Sequence, residues 1–183
     1  QIQTGYHRII SLYKIYGWEY QLNNEPGINA GIRYYHLFFK NEDQNITIHV
    51  LTNAMLGNTF TNASAGVLIK AGQLEKETNT SYWGGNLGIN KSEKTFPEEI
   101  IVFLEPVITY QAYNATVQGG LFIKDKGQYV APLNPLQFII KGGAMFTYKK
   151  ATFNIAYILK QREAKSMITP AEIFGSFAIS YRF

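Results

Sequence analysis

The sequence has no cysteine and little charge. The absence of cysteine from all 183 residues excludes disulfide scaffolds, cysteine-based zinc or iron sites and thiol catalysis. Charged residues make up 16% of the chain, against about a quarter in an average soluble domain. The 17 Lys and Arg and 13 Asp and Glu give a net charge of +4, but the cations are scattered. Because a nucleic-acid footprint needs cations clustered on one face, we expect no nucleic-acid partner.

Long apolar runs are also missing. A membrane-spanning helix needs roughly 18 or more consecutive apolar residues, whereas the best stretch here, residues 100–104, is followed at once by Glu105. The chain begins at Gln1 without Met, and it lacks the basic and apolar segments of a signal peptide. We therefore expect a processed chain or a piece of a longer one.

The sequence does contain a regular alternation of apolar and polar residues. It is 46% apolar and 15% aromatic, which is too rich for a disordered chain. In the last run, Phe177, Ile179 and Tyr181 share one face, while Ser180 and Arg182 share the other. This period of two predicts β-strands. The predicted strands cover residues 28–40, 45–57, 61–72, 100–113, 136–147, 152–162 and 173–183.

The composition of the two faces favours a membrane barrel. One face is apolar, with Tyr and Phe near the strand ends, whereas the other carries Ser, Thr, Asn, Gln, Gly and isolated charges. A face that meets bulk water would carry many Lys and Glu. An apolar band with aromatic girdles around a polar interior is typical of outer-membrane barrels. We therefore predict an all-β fold, an antiparallel transmembrane β-barrel of the bacterial outer membrane. A soluble β-sandwich or lipocalin-like barrel is the alternative.

The odd number of predicted strands places the N-terminal residues. Antiparallel bacterial barrels have an even number of strands, so we expect further strands before Gln1. Counting seven crossings back from a periplasmic C-terminus puts residues 1–27 at the extracellular rim and residues 28–183 in the barrel wall. Residues 1–183 are therefore interpreted as a single barrel domain that lacks its N-terminal strands.

Residues 1–27 follow a different period. The intervals of three and four between their apolar residues predict a short rim helix, with Thr4 as its N-cap and Gly17 as its stop. These apolar residues are Tyr6, Ile9, Ile10, Tyr13 and Tyr16. His7 and Ser11 lie one helical turn apart, and Gln3 lies one turn before His7.

Four segments together resemble one protein family. The helix carries Gln3-x-x-x-His7-Arg8-Ile9-Ile10, followed by Gly17-Trp18-x-Tyr20-Gln21-Leu22-x-Asn24-Glu25-Pro26-Gly27. Further along are Gly57-Asn58-x-Phe60-Thr61-x-Ala63-Ser64-Ala65-Gly66 and the ending Phe174-Gly175-x-x-x-x-Ile179-Ser180-Tyr181-Arg182-Phe183. Over essentially the whole chain, these segments resemble the LpxR-type outer-membrane lipid A 3′-O-deacylases. The resemblance implies a complete barrel of twelve strands, of which this chain looks like the rim helix and the last seven.

The resemblance also implies a catalytic base. In the family, the His of the helix activates water against an acyl ester of lipid A, and that His matches His7. A neutral imidazole within hydrogen-bond reach of water takes its proton near neutral pH. Gln3 matches the family's Gln one turn earlier, and Arg8 and Ser11 are candidates for positioning the substrate.

A calcium ion near the base is implied by the resemblance as well. The family's Asn-Asp pair, hydroxyl residue and Lys lie before this chain begins, and they supply the calcium ligands and the stabilisation of the oxyanion. We therefore expect residues 1–183 to hold no complete metal site. Glu25 is a candidate calcium contact, although Pro26 and Gly27 beside it favour a structural role in the turn from helix to strand.

Two classes of function remain open. The first is a carboxylic ester hydrolase acting on the lipid A of lipopolysaccharide, surrounded by outer-membrane lipids. The second is a non-catalytic barrel, a scaffold or subunit that binds other outer-membrane proteins. Tyr13 stands where a relative carries Glu, and this loss of an acid favours the non-catalytic barrel. An upstream Asn-Asp pair and Lys would favour the enzyme. A diffusion porin is disfavoured, because small residues and charges on the inner face of a narrow twelve-stranded barrel indicate a filled lumen.

Overall fold

Seven strands pair in sequence order in this protein. The computed structural model describes residues 25–83, 98–126 and 130–181. Within these ranges the strands form one antiparallel sheet, in which each strand pairs with the next along the chain. The strands are β1 (Asn29–Lys40), β2 (Ile46–Gly57), β3 (Phe60–Gln73), β4 (Glu99–Asn114), β5 (Leu136–Tyr148), β6 (Ala151–Gln161) and β7 (Ala171–Tyr181).

The strand predictions are confirmed, and the ends of the described strands differ from the predicted ends by no more than two residues. Each strand has at least 11 residues, which is enough to cross a bilayer at a tilt. No second sheet packs against this one in the described ranges. The architecture therefore fits the wall of a barrel and does not fit the sandwich alternative.

The register separates the side chains onto two faces. On the outer face, Phe153 lies opposite Ile179 and Ile155 opposite Phe177, and their exposed fractions range from 41% to 67%. On the inner face, Thr152 lies opposite Ser180. The predicted alternation is confirmed for these residues, whereas Arg182 and Phe183 lie outside the described residues. An outer face this apolar and this exposed is the surface that a barrel turns toward lipid.

The two ends of the sheet carry different connections. At the lower end, β1 joins β2 through residues 41–45, and β5 joins β6 through Lys149 and Lys150. Both turns are tight, and both contain a residue of positive φ, Gln44 at 58° and Lys149 at 53°. Residues 74–83 and 98 also lie toward the lower end, where β3 ends and β4 begins. The upper end carries residues 25–28, 58–59, 115–126, 130–135 and 162–170.

Helical structure is scarce in the described ranges. A 3-10 turn covers Ser81–Trp83, and a four-residue helix, α1, covers Ala115–Gln118. Asn114 caps α1, because its side chain accepts a hydrogen bond from the Thr116 backbone N–H. In the part of the chain described here, no helix is both long enough and apolar enough to cross a membrane.

The buried core lies on the inner face, near the lower end. Its apolar side chains come from β3, β4, β5 and β6, and all are at most 6% exposed. They are Leu68, Ile101, Phe103, Met145 and Ala156. Residues 74–83 contribute Leu74, Tyr82 and Trp83 to this cluster. We call residues 74–83 the inward segment, because they turn from the end of β3 back onto the inner face of the sheet.

Candidate functional site

Most of the sequence-predicted site residues lie outside the described part of the chain. His7, Gln3, Arg8 and Ser11 belong to residues 1–24, of which the structure gives no account. Glu25, the candidate calcium contact, is the first residue described. It lies at the upper end of the sheet, just before β1. Residues 25–28 therefore lead into β1 at the upper end of the sheet, and the predicted helix lies outside the described residues.

At this end, Asn58 joins two of the segments that the sequence singled out. Its side-chain Nδ2 donates to Glu25 Oε1 at 2.7 Å and to the Pro26 carbonyl oxygen at 2.8 Å. Its Oδ1 accepts from the Ile28 backbone N–H at 2.6 Å. The turn between β2 and β3 thus holds the residues that lead into β1.

The second oxygen of Glu25 reaches a different connection. Glu25 Oε2 accepts from the Phe122 backbone N–H at 3.2 Å. A Cβ placed on Gly120 would lie only 2.1 Å from this oxygen, so a side chain at position 120 would displace the Glu25 carboxylate from this contact. Both oxygens of Glu25 therefore bind neighbouring segments. This geometry fits the structural role, while a calcium contact at Glu25 stays a prediction.

The described residues do not by themselves supply a calcium site. Calcium takes six to eight oxygen ligands, and residues 25–83, 98–126 and 130–181 contain no group of three or more His, Cys, Asp or Glu side chains placed to hold a metal. At the upper end, the hydrogen-bond partners of Glu25 among these residues are the Asn58 side-chain amide and the Phe122 backbone N–H.

A second polar cluster lies on the inner face, where the inward segment meets β2 and β3. Lys70 is only 1% exposed, and its Nζ donates to both carboxylate oxygens of Glu77, at 2.9 and 3.0 Å. The Trp83 indole N–H donates to Glu77 Oε2 at 3.0 Å. His49 Nε2 lies 3.1 Å from the same oxygen, but the angle does not make an aligned hydrogen bond.

These contacts determine the charge of Glu77. Burial alone would raise the pKa of this carboxyl group. Contacts from His49, Lys70 and Trp83 outweigh burial and lower the pKa of Glu77 to about 2. Glu77 is therefore ionised at neutral pH, and it balances the buried Lys70 ammonium.

Two carboxylates of β4 also bind the inward segment. Glu99 is 1% exposed, and it accepts from the backbone N–H groups of Glu75 at 3.0 Å and Ser81 at 2.6 Å. The Tyr82 hydroxyl donates to Glu105 Oε2 at 2.9 Å. Burial and the neighbouring charge of Glu105 raise the pKa of Tyr82 far above its ordinary value. Tyr82 therefore stays a neutral hydrogen-bond donor.

Glu105 also faces a polar cavity of about 180 Å³ on the inner face. Its polar lining residues are Arg33, Asn53, Ser64, Glu105, Thr109 and Lys141. Ser64 and Thr109 share a hydroxyl–hydroxyl hydrogen bond of 2.9 Å across β3 and β4. The lining offers hydrogen-bond donors and acceptors but no nucleophile paired with a base.

Two inner-face lysines form ion pairs with acids that the sequence patterns did not single out. Lys70 pairs with Glu77 and Lys160 with Glu163, and both acids lie in connections rather than strands. The available signal was the adjacent aromatic pair, Tyr82 and Trp83, directly after the polar stretch of residues 75–81.

Comparisons with known proteins agree on one family. The family model described as outer membrane protein LpxR matches residues 1–183. The solved structure of LpxR from Salmonella typhimurium is similar, with a TM-score of 0.76 and 19% sequence identity. The alignment covers 100% of this chain and 61% of that one, so the chain spans less than two thirds of its structural relative. None of the curated proteins compared with the chain matches it.

Proposed function

Because this chain belongs to the LpxR family of outer-membrane proteins, we propose that the complete protein removes an acyl chain from lipid A by ester hydrolysis at the 3′-O position. The family match over residues 1–183 carries the proposal. The motif around His7 supports the proposal, because it supplies a histidine that can act as the general base of ester hydrolysis. The outer membrane is also where lipid A is found.

In this proposal His7 acts as the general base. Its neutral imidazole takes a proton from water as the water oxygen attacks the ester carbonyl carbon. The bond between the acyl carbon and the sugar oxygen then breaks. The sugar oxygen leaves as a hydroxyl group, with the proton that His7 took from water. Gln3, Arg8 and Ser11 position the substrate and the base. A calcium ion held near the base would supply polarisation of the ester carbonyl, and Glu25 is the candidate contact from this chain.

The described upper end supports the placement of this chemistry at the outer leaflet. Bacterial barrels have short periplasmic turns and longer extracellular loops. The lower end carries the tight turns at residues 41–45 and 149–150 as well as the longer connection between β3 and β4, and residues 25–28 lie at the upper end. Lys124, Lys126 and Lys165 are exposed on upper connections, where their ammonium groups suit the phosphates of lipid A.

Substitution of His7 tests the proposal. In the complete protein, His7→Ala should lower ester hydrolysis by about two to four orders of magnitude, which is a typical general-base contribution. Mass spectrometry of lipid A from cells that make either protein measures the remaining acyl chains. His36→Ala is the matched control, since His36 lies on the exposed face of β1 beside Tyr34, and it should leave hydrolysis unchanged.

The same mass-spectrometry measurement can also contradict the proposed hydrolysis. Identical acylation patterns in cells with the wild-type protein, with His7→Ala and with no protein would contradict hydrolysis. The non-catalytic scaffold would then be the better interpretation. A difference in gel migration between heated and unheated protein verifies that each variant has assembled as a barrel.

A further inference from the structure

The inward segment covers the inner face of the sheet over most of its width. Trp83 packs against Tyr35 of β1 and His49 of β2, with ring centroids 4.5 and 5.6 Å apart. Tyr82 packs against Phe103 of β4 at 5.3 Å. The covered core continues to Met145 of β5 and Ala156 of β6. With the Lys70–Glu77 ion pair, the segment thus contacts β1, β2, β3 and β4, and it packs on a core that extends to β5 and β6.

We propose that residues 74–83 close the lumen of the barrel at its lower end, so that the interior is a chamber open only toward the upper end. Barrels of about eight strands are filled by their own side chains, whereas larger barrels leave space in the lumen. A barrel of clearly more than eight strands has space in its lumen that a further segment can block. The inward segment occupies that space, and this inference holds whether or not the protein hydrolyses lipid A.

Three separate attachments hold the segment in place. Glu99 accepts backbone hydrogen bonds at Glu75 and Ser81, near the two ends of the segment. Glu77 pairs with the buried Lys70 in its middle. Tyr82 donates to Glu105 on the side nearest the polar cavity. Withdrawing the segment would leave Lys70 in the lumen without its acidic partner, which is costly for a buried charge.

The closure has a consequence for transport. Small hydrophilic solutes that enter the upper chamber meet Tyr82, Trp83 and the core beneath them, so they do not pass through the barrel. The wild-type protein is therefore a barrier and not a diffusion pore, and the polar cavity at Glu105 and Lys141 is accessible only from the upper end.

Solute efflux from vesicles tests the closure. The complete protein, reconstituted in phospholipid vesicles loaded with a small fluorescent dye, should be as tight as vesicles without protein. The double variant Tyr82→Ala/Trp83→Ala should raise efflux by about tenfold or more, because it removes the two rings that occupy the lumen. The control Phe146→Ala/Phe153→Ala removes two stacked rings from the outer face and should stay tight.

Cysteine labelling gives a second readout that does not depend on the double variant. The chain has no cysteine, and Ser81 is 5% exposed, with no hydrogen-bond partner at its hydroxyl oxygen among the described residues, so Ser81→Cys removes no hydrogen bond seen there. This thiol should resist a membrane-impermeant maleimide added from either side, whereas Lys124→Cys, on an exposed upper connection, should react. Efflux through the wild-type protein, rapid labelling of Ser81→Cys, or a folded Tyr82→Ala/Trp83→Ala protein as tight as wild type would each overturn the proposal.

Discussion

At the scale of single residues, Lys70 shows why the inward segment stays in place. A buried ammonium group is strongly destabilising unless an opposite charge and hydrogen bonds accompany it. β3 positions Lys70 on the inner face, but its ion-pair partner Glu77 belongs to the connection that follows. The rings of Trp83 and Tyr82 add cation–π contacts to the Lys70 ammonium at 5.1 and 5.6 Å from their centroids.

Acid should therefore loosen this segment. Glu77 has a folded-state pKa of about 2, below its ordinary value of 4.5. Between these two pH values the unfolded state binds more protons than the folded state, so the stabilisation from Glu77 is complete above pH 4.5 and declines toward pH 2. Hydrogen-exchange protection of residues 74–83, corrected for the intrinsic pH dependence of exchange, should fall over this window.

The isosteric variant Glu77→Gln isolates the contribution of this carboxyl group. Other charged or titratable groups of the cluster, His49 of β2, Lys70 of β3 and Glu99 and Glu105 of β4, remain unchanged in the variant. Protection of the segment should be lower at neutral pH and should lose its dependence on pH between 4.5 and 2. An equal pH dependence in the wild-type and Glu77→Gln proteins would assign the effect to one of the other groups.

Residue-level contacts were the part of the structure that sequence patterns predicted least. The motif at Glu25 and the motif at Asn58 were both identified, but their direct hydrogen bond joins residues 33 positions apart. Spacing along the chain carries no information on such a contact. The roles of His7, Gln3, Arg8 and Ser11 remain predictions that come from the family resemblance.

At the scale of elements, the strands were predictable and the connections were not. The period of two is a local property, so alternation in β6 and β7 was enough to assign both faces. The inward segment has no such period. Its position depends on Lys70, Glu99 and Phe103, which reach it only after β3 and β4 have paired.

An added positive charge should destabilise the barrel more on the outer face of β6 than on its inner face. Ile155 lies near the middle of β6 on the outer face and is 50% exposed, whereas Asn154 lies beside it on the inner face. Ile155→Arg should destabilise the folded barrel by about 2–4 kcal/mol, because a cation near the bilayer midplane is costly. Urea unfolding of the complete protein in lipid vesicles measures this change.

Asn154→Arg is the matched variant, since it adds the same side chain one residue away. It should cost clearly less than Ile155→Arg, because Asn154 and its cross-strand partner Met145 lie on the inner face and not against lipid. Equal destabilisation by the two arginines would contradict the assignment of the outer face to the membrane.

At the scale of the whole molecule, the direction of the edge strands governs how the sheet can close. The seven strands pair consecutively and antiparallel, so β1 and β7 both run from the upper end to the lower end. Direct pairing of β1 with β7 would be parallel. An unpaired edge within a bilayer is also unfavourable, since each free backbone group costs several kcal/mol. An odd number of additional strands between β7 and β1 satisfies both edges and keeps every pairing antiparallel.

Disulfide trapping distinguishes closure by added strands from closure by these seven alone. Cysteines replacing Ile155 and Phe177, which lie directly opposite each other on β6 and β7, are within the reach of a disulfide and should cross-link on oxidation. Cysteines replacing Ile32 of β1 and Phe177 of β7 should not cross-link in the complete protein, because intervening strands separate them. The chain contributes no other cysteine to compete. Efficient cross-linking between positions 32 and 177 would mean that β1 and β7 are neighbours, and the barrel would then close in parallel without further strands.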